Sequence, residues 1–351
     1  MDTSLKDKVL LSIDNMKNKR NRLYFLVQDT KGNAKASVRY IYTMALSLKK
    51  NGFNSIILHE KNDYFGVGKW LGEEYMTELP HKSIENQNLE ISPEDFIVIP
   101  EVFGYMFEQI QNLPCGKIVL SQSYSYVVDT LQPGQSWSSL GVYKCITTSN
   151  KQKEYLESVM RGVSYDVLPP LISDSFTQRD LPPMPVIAVH SRDQVDTINL
   201  IKTFYLKFPQ YRWFNFKDMV GLTEKEFSNA LKECCLSVWI DEKSSFGTFP
   251  IESMSCGVPV LSTIPNLPPD WMNEDNGLWV RERILLPDFI ADYIQNWLED
   301  NISSDLYEGM KKTAEKFKNK EEFELNVVKL FEGYIDVRIS SFENQISKTE
   351  E

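Results

Sequence analysis

Arg192, Glu252 and the run Ser245-Phe246-Gly247-Thr248 are the residues whose types and spacing could act together on a phosphorylated ligand. A guanidinium stays charged and meets phosphate oxygens through a planar fork of N–H groups. Gly247 and Thr248 stand where a helix opens, because Pro250 suits a first helical turn and the helix-like run 251–256 follows. The opening turn of a helix carries unpaired N–H groups and the positive end of the helix dipole, and together these can receive a phosphate. Glu252, one turn further in, can point at whatever the helix end holds. The chemistry would be the binding of a phosphorylated group and the stabilisation of charge on it. The same residues also fit a buried crossover whose glycines only permit tight turns.

The elements that must position these residues can be read on either side of them. Leu236 to Ile240 is an apolar, β-prone strand, and Asp241 to Ser245 is a polar loop. Gly257 stops the helix, and Pro259-Val260-Leu261-Ser262 begins another strand. A strand, loop, helix and strand therefore follow one another within 238–263. The stretch SSFGTFPIESMSCGVPV resembles the donor-site motif of retaining GT-B glycosyltransferases (group 1, family 4-like), E-G-F-G-x-x-x-x-E-A-M-A-C-G-x-P-V. Phe246, Gly247, Glu252, Met254, Cys256, Gly257, Pro259 and Val260 fall on its register without a gap.

The resemblance implies roles residue by residue. Glu252 takes the place of the second motif glutamate, which hydrogen-bonds the nucleotide ribose. The first glutamate's place falls on Ser244, and Glu242, two residues earlier, is the substitute if the loop is rearranged. Arg192 takes the place of a diphosphate-binding arginine, while Thr197 stands where relatives carry a lysine. Gln122 is the counterpart of a histidine that approaches the donor sugar in many relatives. The catalytic candidates are thus Ser244, Glu252 and Arg192. The donor-binding candidates are Gly32, Arg192, Ser245, Phe246, Gly247, Thr248 and Glu252, and the acceptor-side candidates are Lys31, Gln122 and Tyr124.

The rest of the chain repeats an α/β rhythm. Arg22 to Asp29 is a strand running into a loop with Lys31 and Gly32, then a helix over 36–50 and a strand over 55–59. Further strands are expected at 96–100, 117–120, 145–149, 186–190 and 211–216, with Asn150 capping a helix over 151–160 and Thr223 opening a capping box with Glu226. Loops at the carboxyl ends of parallel strands are the usual ligand crevice. Tyr124, Tyr126, Trp137 and Phe103 fall in first-half loops, where they fill core gaps or stack on sugars. His59 and His81 read as surface or strand-end residues, and His190 stands far from both in sequence.

The domain boundary is expected near 170, with an N-terminal Rossmann-like acceptor-side domain over 1–170 and a C-terminal donor domain over 171–335. A last helix from Lys320 crosses back onto the first domain in this fold family, and the tail from Ser340 is polar and frayed. Residues 1–20 read as an amphipathic helix ending in the basic run Lys17, Lys19, Arg20 and Arg22. That run is either a solvated helix end or a contact with an anionic membrane or acceptor.

Composition bounds the possibilities. The 351 residues allow two cores, and a net charge of −11 argues against a generic nucleic-acid binder. Five cysteines without a CxxC pair read as small apolar residues of a reducing compartment. No metal-ligand cluster, secretory leader or membrane-length apolar run is legible.

The reading is an α/β protein of GT-B architecture, two Rossmann-like domains facing a cleft. The resemblance implies a cytoplasmic, metal-independent retaining glycosyltransferase that needs no cofactor and uses a nucleotide-diphosphate sugar as co-substrate. Membrane-peripheral and oligomeric states stay open, and so does the acceptor: a glycan, lipid-linked sugar, protein, small metabolite or nucleic-acid base. The alternative is a non-catalytic GT-B-like subunit of a glycosylation complex, consistent with Ser244, Gln122 and Thr197. Sugar-nucleotide epimerisation is a third reading, with no distinct motif of its own.

Overall fold

The computed structural model describes residues 3–86, 89–219 and 221–350. The chain forms two units, Met1–Leu168 with Lys320–Glu351, and Pro169–Asn319. Each is built on one parallel sheet, so this is an α/β protein as the alternating rhythm requires.

The first unit contains β1 (Arg22–Val27), β2 (Asn54–His59), β3 (His81–Ser83), β4 (Phe96–Pro100), β5 (Gly116–Ser121), β6 (Val142–Thr147) and β7 (Ser164–Val167). Their order is β3-β2-β1-β4-β5-β6-β7. The second unit contains β8 (Met184–Ser191), β9 (Asn215–Asp218), β10 (Cys234–Ile240), β11 (Val260–Thr263) and β12 (Leu278–Val280), in the order β12-β11-β10-β8-β9. The chain leaves β1 for β2 and then places β4 on β1's other side. It leaves β8 for β9 and then places β10 on β8's other side. Each sheet therefore has a switch point, at β1/β4 and at β8/β10, where two loops diverge and leave room for a ligand. β4, β5 and β10 are buried along their whole length. They read as continuous apolar runs because a central parallel strand has no solvent face.

The last segment belongs to the first unit. Lys320–Glu350 is one helix of 31 residues rather than a helix with a frayed tail from Ser340. Phe331 packs on Phe25 of β1 with ring centroids 5.7 Å apart, and the Arg338 guanidinium donates to the Pro93 carbonyl at 2.9 Å. Those contacts place the helix with the first unit, onto which it is expected to cross, and the second unit ends at Asn319 instead of 335. They also account for the basic run. Lys17 pairs with Glu343 at 3.5 Å and Lys19 with Glu332 at 3.1 Å, while Arg22 grips the buried Asp95. These three cations are engaged within the unit, and among the described residues no helix is long and apolar enough to cross a membrane.

Several local expectations are corrected. Ser149, not Asn150, caps the helix Asn150–Val159, its hydroxyl accepting from the Gln152 N–H. The expected strand at 211–216 is displaced to Asn215–Asp218, because Pro209–Tyr211 turns as a 3₁₀ helix. The predicted capping box is present at Thr223 and Glu226. Tyr124 and Tyr126 lie on a short helix, Tyr124–Thr130, rather than in a loop. Trp137 and Phe103 are buried in the first unit's core and have no face for a sugar. All five cysteines are buried and unpaired, as small apolar residues would be.

His59 and His81 are strand-end residues, as expected, but not surface ones. His59 closes β2, is buried, and its Nε2 lies 2.9 Å from His81 Nδ1 at the start of β3. Tyr64 stacks on the His59 ring at 3.5 Å. His81 Nε2 faces the Tyr75 carbonyl at 3.2 Å, so it carries the proton there, His81 Nδ1 accepts, and His59 Nε2 donates. Burial, with a smaller contribution from His81, pushes the His59 pKa down from 6.5 to about 3. The neutral pair thus supports folding above pH 6.5, and that support is lost as the pH falls toward 3. For this one group the loss approaches about 1.4 kcal/mol per pH unit. The thermal midpoint should therefore fall more steeply between pH 7 and pH 5 in the wild type than in His59→Phe. Equal slopes would show that the pair does not hold His59 neutral.

Candidate functional site

The donor-side candidates other than Gly32 gather at the carboxyl ends of β8 and β10, the switch point of the second sheet. Gly247 is the residue that makes the arrangement possible. Its φ is +72°, and a Cβ there would lie 2.5 Å from the Trp239 ring. Only glycine meets both demands. The turn delivers the helix Thr248–Ser255, which begins at Gly247 without any side-chain cap. Its opening N–H groups therefore have no capping side chain, and Pro250 contributes none to be satisfied.

The turn is clamped from outside as well. Trp271 Nε1 donates to the Phe246 carbonyl at 2.7 Å, and the Phe246 ring packs edge-on against Phe317 at 5.1 Å. The Phe246 side chain thus belongs to the core, and only its backbone N–H remains for a ligand. Ser245 is fully buried, whereas Ser244 and Thr248 are partly exposed. Glu252 is 4% exposed, in the second turn of the helix. A buried carboxylate is costly unless it is paired or hydrogen-bonded, and Glu252 is not without partners in the chain.

Arg192 follows β8 directly. Its Nε and Nη2 donate to the two carboxylate oxygens of Asp241, each at 2.9 Å. Asp241 Oδ1 also accepts from the Lys243 N–H at 3.1 Å, so one carboxylate sets both the guanidinium and the loop after β10. The fork geometry fixes the cation at the switch point instead of leaving it to swing in solvent. Thr197 is buried, its hydroxyl 2.7 Å from that of Ser191. Glu242 is exposed on the loop.

His190, the penultimate residue of β8, went unnoticed in the sequence because nothing in its neighbours marks it. Its ring stacks on Phe249, in the helix's first turn, at 5.0 Å. Its Nδ1 is buried with no hydrogen-bond partner among the described residues. Burial lowers its pKa, against the opposing pull of Asp241 and Asp218.

Gly32, Lys31, Gln122 and Tyr124 lie in the first unit. Lys31 and Gly32 form a left-handed turn after β1, with φ of +51° and +81°, and the Lys31 N–H donates to Asp29 Oδ1 at 3.1 Å. Space around Gly32 is open. Gln122, after β5, donates through Nε2 to the Ser37 carbonyl at 3.1 Å. The buried Glu101, which ends β4's carboxyl side, accepts from the backbone N–H groups of Gln122 and Ser123 at 2.9 and 2.7 Å. Glu101 therefore holds the loop that carries Gln122 and Tyr124, a role no motif announced. Tyr124 itself sits edge-on to Tyr155 at 5.4 Å.

Residues 215–317 match the family Glycosyl transferases group 1. The group 1 domain thus covers most of the second unit, including Glu252 and the Gly247 turn. Over 305 residues the chain is 21% identical to an alpha-1,6-glucosyltransferase of Actinobacillus pleuropneumoniae serotype 7, covering 83% of this chain and 88% of that one. Among solved structures it resembles a sucrose-phosphate synthase of Thermosynechococcus elongatus, with a TM-score of 0.66, 13% identity, and coverage of 91% of this chain and 100% of that chain. It also resembles HepE of Anabaena in complex with UDP-glucose, with a TM-score of 0.63, 12% identity, and coverage of 89% and 99%. The fold is GT-B, and residues 215–317 are similar to the group 1 glycosyl transferases.

Gly247→Ala should lower the thermal midpoint and abolish nucleotide binding together. The left-handed backbone alone costs about 1–3 kcal/mol for a residue with a Cβ. An alanine tolerated with an unchanged midpoint would show that the turn can relax away from Trp239.

Proposed function

We propose that the chain transfers a glycosyl group from a nucleotide-diphosphate sugar to a hydroxyl acceptor, with retention at the anomeric carbon. The observation that carries this reading is the uncapped helix start at the β8/β10 switch point, one turn before the buried Glu252. In the reaction the bond from the anomeric carbon to the β-phosphate oxygen breaks and a bond to the acceptor oxygen forms. The acceptor's proton passes to the departing phosphate oxygen on the same face, so no separate protein base is needed.

Charge develops on the β-phosphate as the bond breaks, and the residues at the switch point supply what that charge needs. The backbone N–H groups of Phe246, Gly247 and Thr248, the dipole of the helix they open, and the Arg192 cation would all be aimed at it. Glu252 would accept from the ribose hydroxyls. With a dipole and a fixed cation in place, the leaving group is met without a metal in this reading. Lys31 and Gln122, on loops at the carboxyl ends of β1 and β5, and Tyr124, at the start of a short helix, are the acceptor-side residues. UDP-glucose is the first donor to try, because a glucosyltransferase and a UDP-glucose complex are among the similar proteins.

A calorimetric screen of nucleotide-diphosphate sugars, followed by a test for slow donor hydrolysis, checks the reading. One donor should bind and hydrolyse, and no binding by any of them would refute it. Glu252→Ala should weaken that donor by about 1.5–3 kcal/mol, as for a lost hydrogen bond to a charged group. Unchanged affinity would remove Glu252 from the site. Ser244→Glu should raise turnover, since it restores the first carboxylate of the motif at the loop. No gain would mean that another residue, Glu242 first, has taken that place.

A further inference from the structure

We infer that His190 is a donor-positioning residue, whose imidazole hydrogen-bonds the diphosphate of the bound nucleotide sugar and takes up a proton as it does so. The inference rests on the donor reading above and assigns to it a group that the motif does not contain.

Three observations place the ring in the site. His190 pairs in register with Trp239 and Ser191 with Ile240, so the imidazole stands at the carboxyl ends of the two strands that flank the switch point. It stacks on Phe249, whose ring belongs to the first turn of the uncapped helix, and this sets the imidazole plane against that turn. Its Nδ1 is buried and lacks any partner among the described residues, whether that nitrogen is written as a donor or as an acceptor. A buried ring nitrogen without a partner is a deficit that a ligand atom can remove.

The ligand atom must be an acceptor if the ligand is a diphosphate. Nδ1 then carries a proton, and two negative phosphates beside the ring favour a proton on Nε2 as well. The charged neighbours allow this. Asp218 at the end of β9 and Asp241 after β10 favour the imidazolium, Arg192 opposes it, and the helix brings the apolar Phe249 ring, with Glu252 one turn beyond. In the unliganded chain burial lowers the imidazole's pKa and so favours the neutral ring. Diphosphate binding would therefore draw one proton from solution. In relatives a lysine supplies a permanent charge five residues after the arginine. Here that place is Thr197, and its hydroxyl is already engaged with Ser191.

The test is calorimetric titration of the intact chain with UDP, GDP and ADP at pH 7, in PIPES and in Tris, whose ionisation enthalpies differ. The wild type should take up a substantial fraction of one proton on binding its nucleotide. His190→Asn and His190→Gln should lose that uptake and bind about tenfold more weakly at pH 6.5, with the gap closing by pH 8.5. Affinity for the matching nucleoside should not change. A wild type that binds without proton uptake overturns the inference however the variants fold. So do variants that match the wild type in both uptake and affinity. If no nucleoside diphosphate binds, the donor reading fails, and this inference with it.

Discussion

Everything proposed for the second unit depends on one left-handed turn pressed against one indole. Gly247 sits at φ +72° with the Trp239 ring where a side chain would go. The turn reverses the chain just after the β10 loop and points a helix start back at the sheet's carboxyl edge. Trp271 holds the preceding carbonyl from the far side. Trp239 is itself paired with His190 across β8. The indole that forbids a side chain at Gly247 is thereby bonded through the backbone to the strand that carries the imidazole. The turn, the helix end and His190 are consequences of the same packing, and none of them can move far without the others.

The charges near that turn are held by geometry rather than by isolation. Arg192 is gripped by Asp241 through two bonds of equal length, and the same carboxylate sets the loop after β10. An exposed ion pair contributes little stability, so its value lies in orientation. The first unit treats its basic residues differently. Lys17, Lys19 and Arg22 are tied to carboxylates far away in sequence, and the first two bind the terminal helix to the helix and turn at the chain's start. What reads as a basic patch in a linear sequence is therefore internal bracing in the fold.

The elements legible in the sequence were those with strong local signals. β1, β4 and β10 are apolar runs bounded by turn residues, and the donor helix is announced by Gly247, Pro250 and Gly257. The capping box at Thr223 needed only its own spacing. The misses have the opposite character. β3 is three residues long and β7 reads SYDV, so neither offers an apolar run, and both owe their existence to pairing with a neighbour. Helix Tyr124–Thr130 is too short to show a period. The His59–His81 bond spans 22 residues, and the helix Lys320–Glu350 stays ordered past Ser340 through contacts made more than two hundred residues away. The candidate site divides in the same way. The motif gave the positions of Gly247 and Glu252, but whether a backbone N–H is capped, or a ring nitrogen partnered, is a tertiary fact with no signature in sequence.

Two of the departures from the family's pattern share a feature once their surroundings are compared. Thr197 and Gln122 stand where relatives carry groups that bear or exchange charge, and both are neutral residues bonded within the chain, to Ser191 and to the Ser37 carbonyl. Substitution there removed a charge without leaving a hole. A site that had simply lost its ligand would be free to satisfy its remaining polar groups in the same way. His190 goes against that trend, with a buried nitrogen that nothing among the described residues answers. Glu252 stays nearly dry in the second turn of a helix whose start has no side-chain cap. The unanswered imidazole nitrogen costs folding free energy, of order 1–3 kcal/mol for one buried group. Other buried polar atoms also lack partners, His59 Nδ1 and Tyr42 Oη among them, so what sets His190 apart is its place at the β8/β10 edge, on the strand beside the uncapped helix start. Under the role proposed for His190, an imidazole there would gain its charge only when an occupant from outside the chain brings its own.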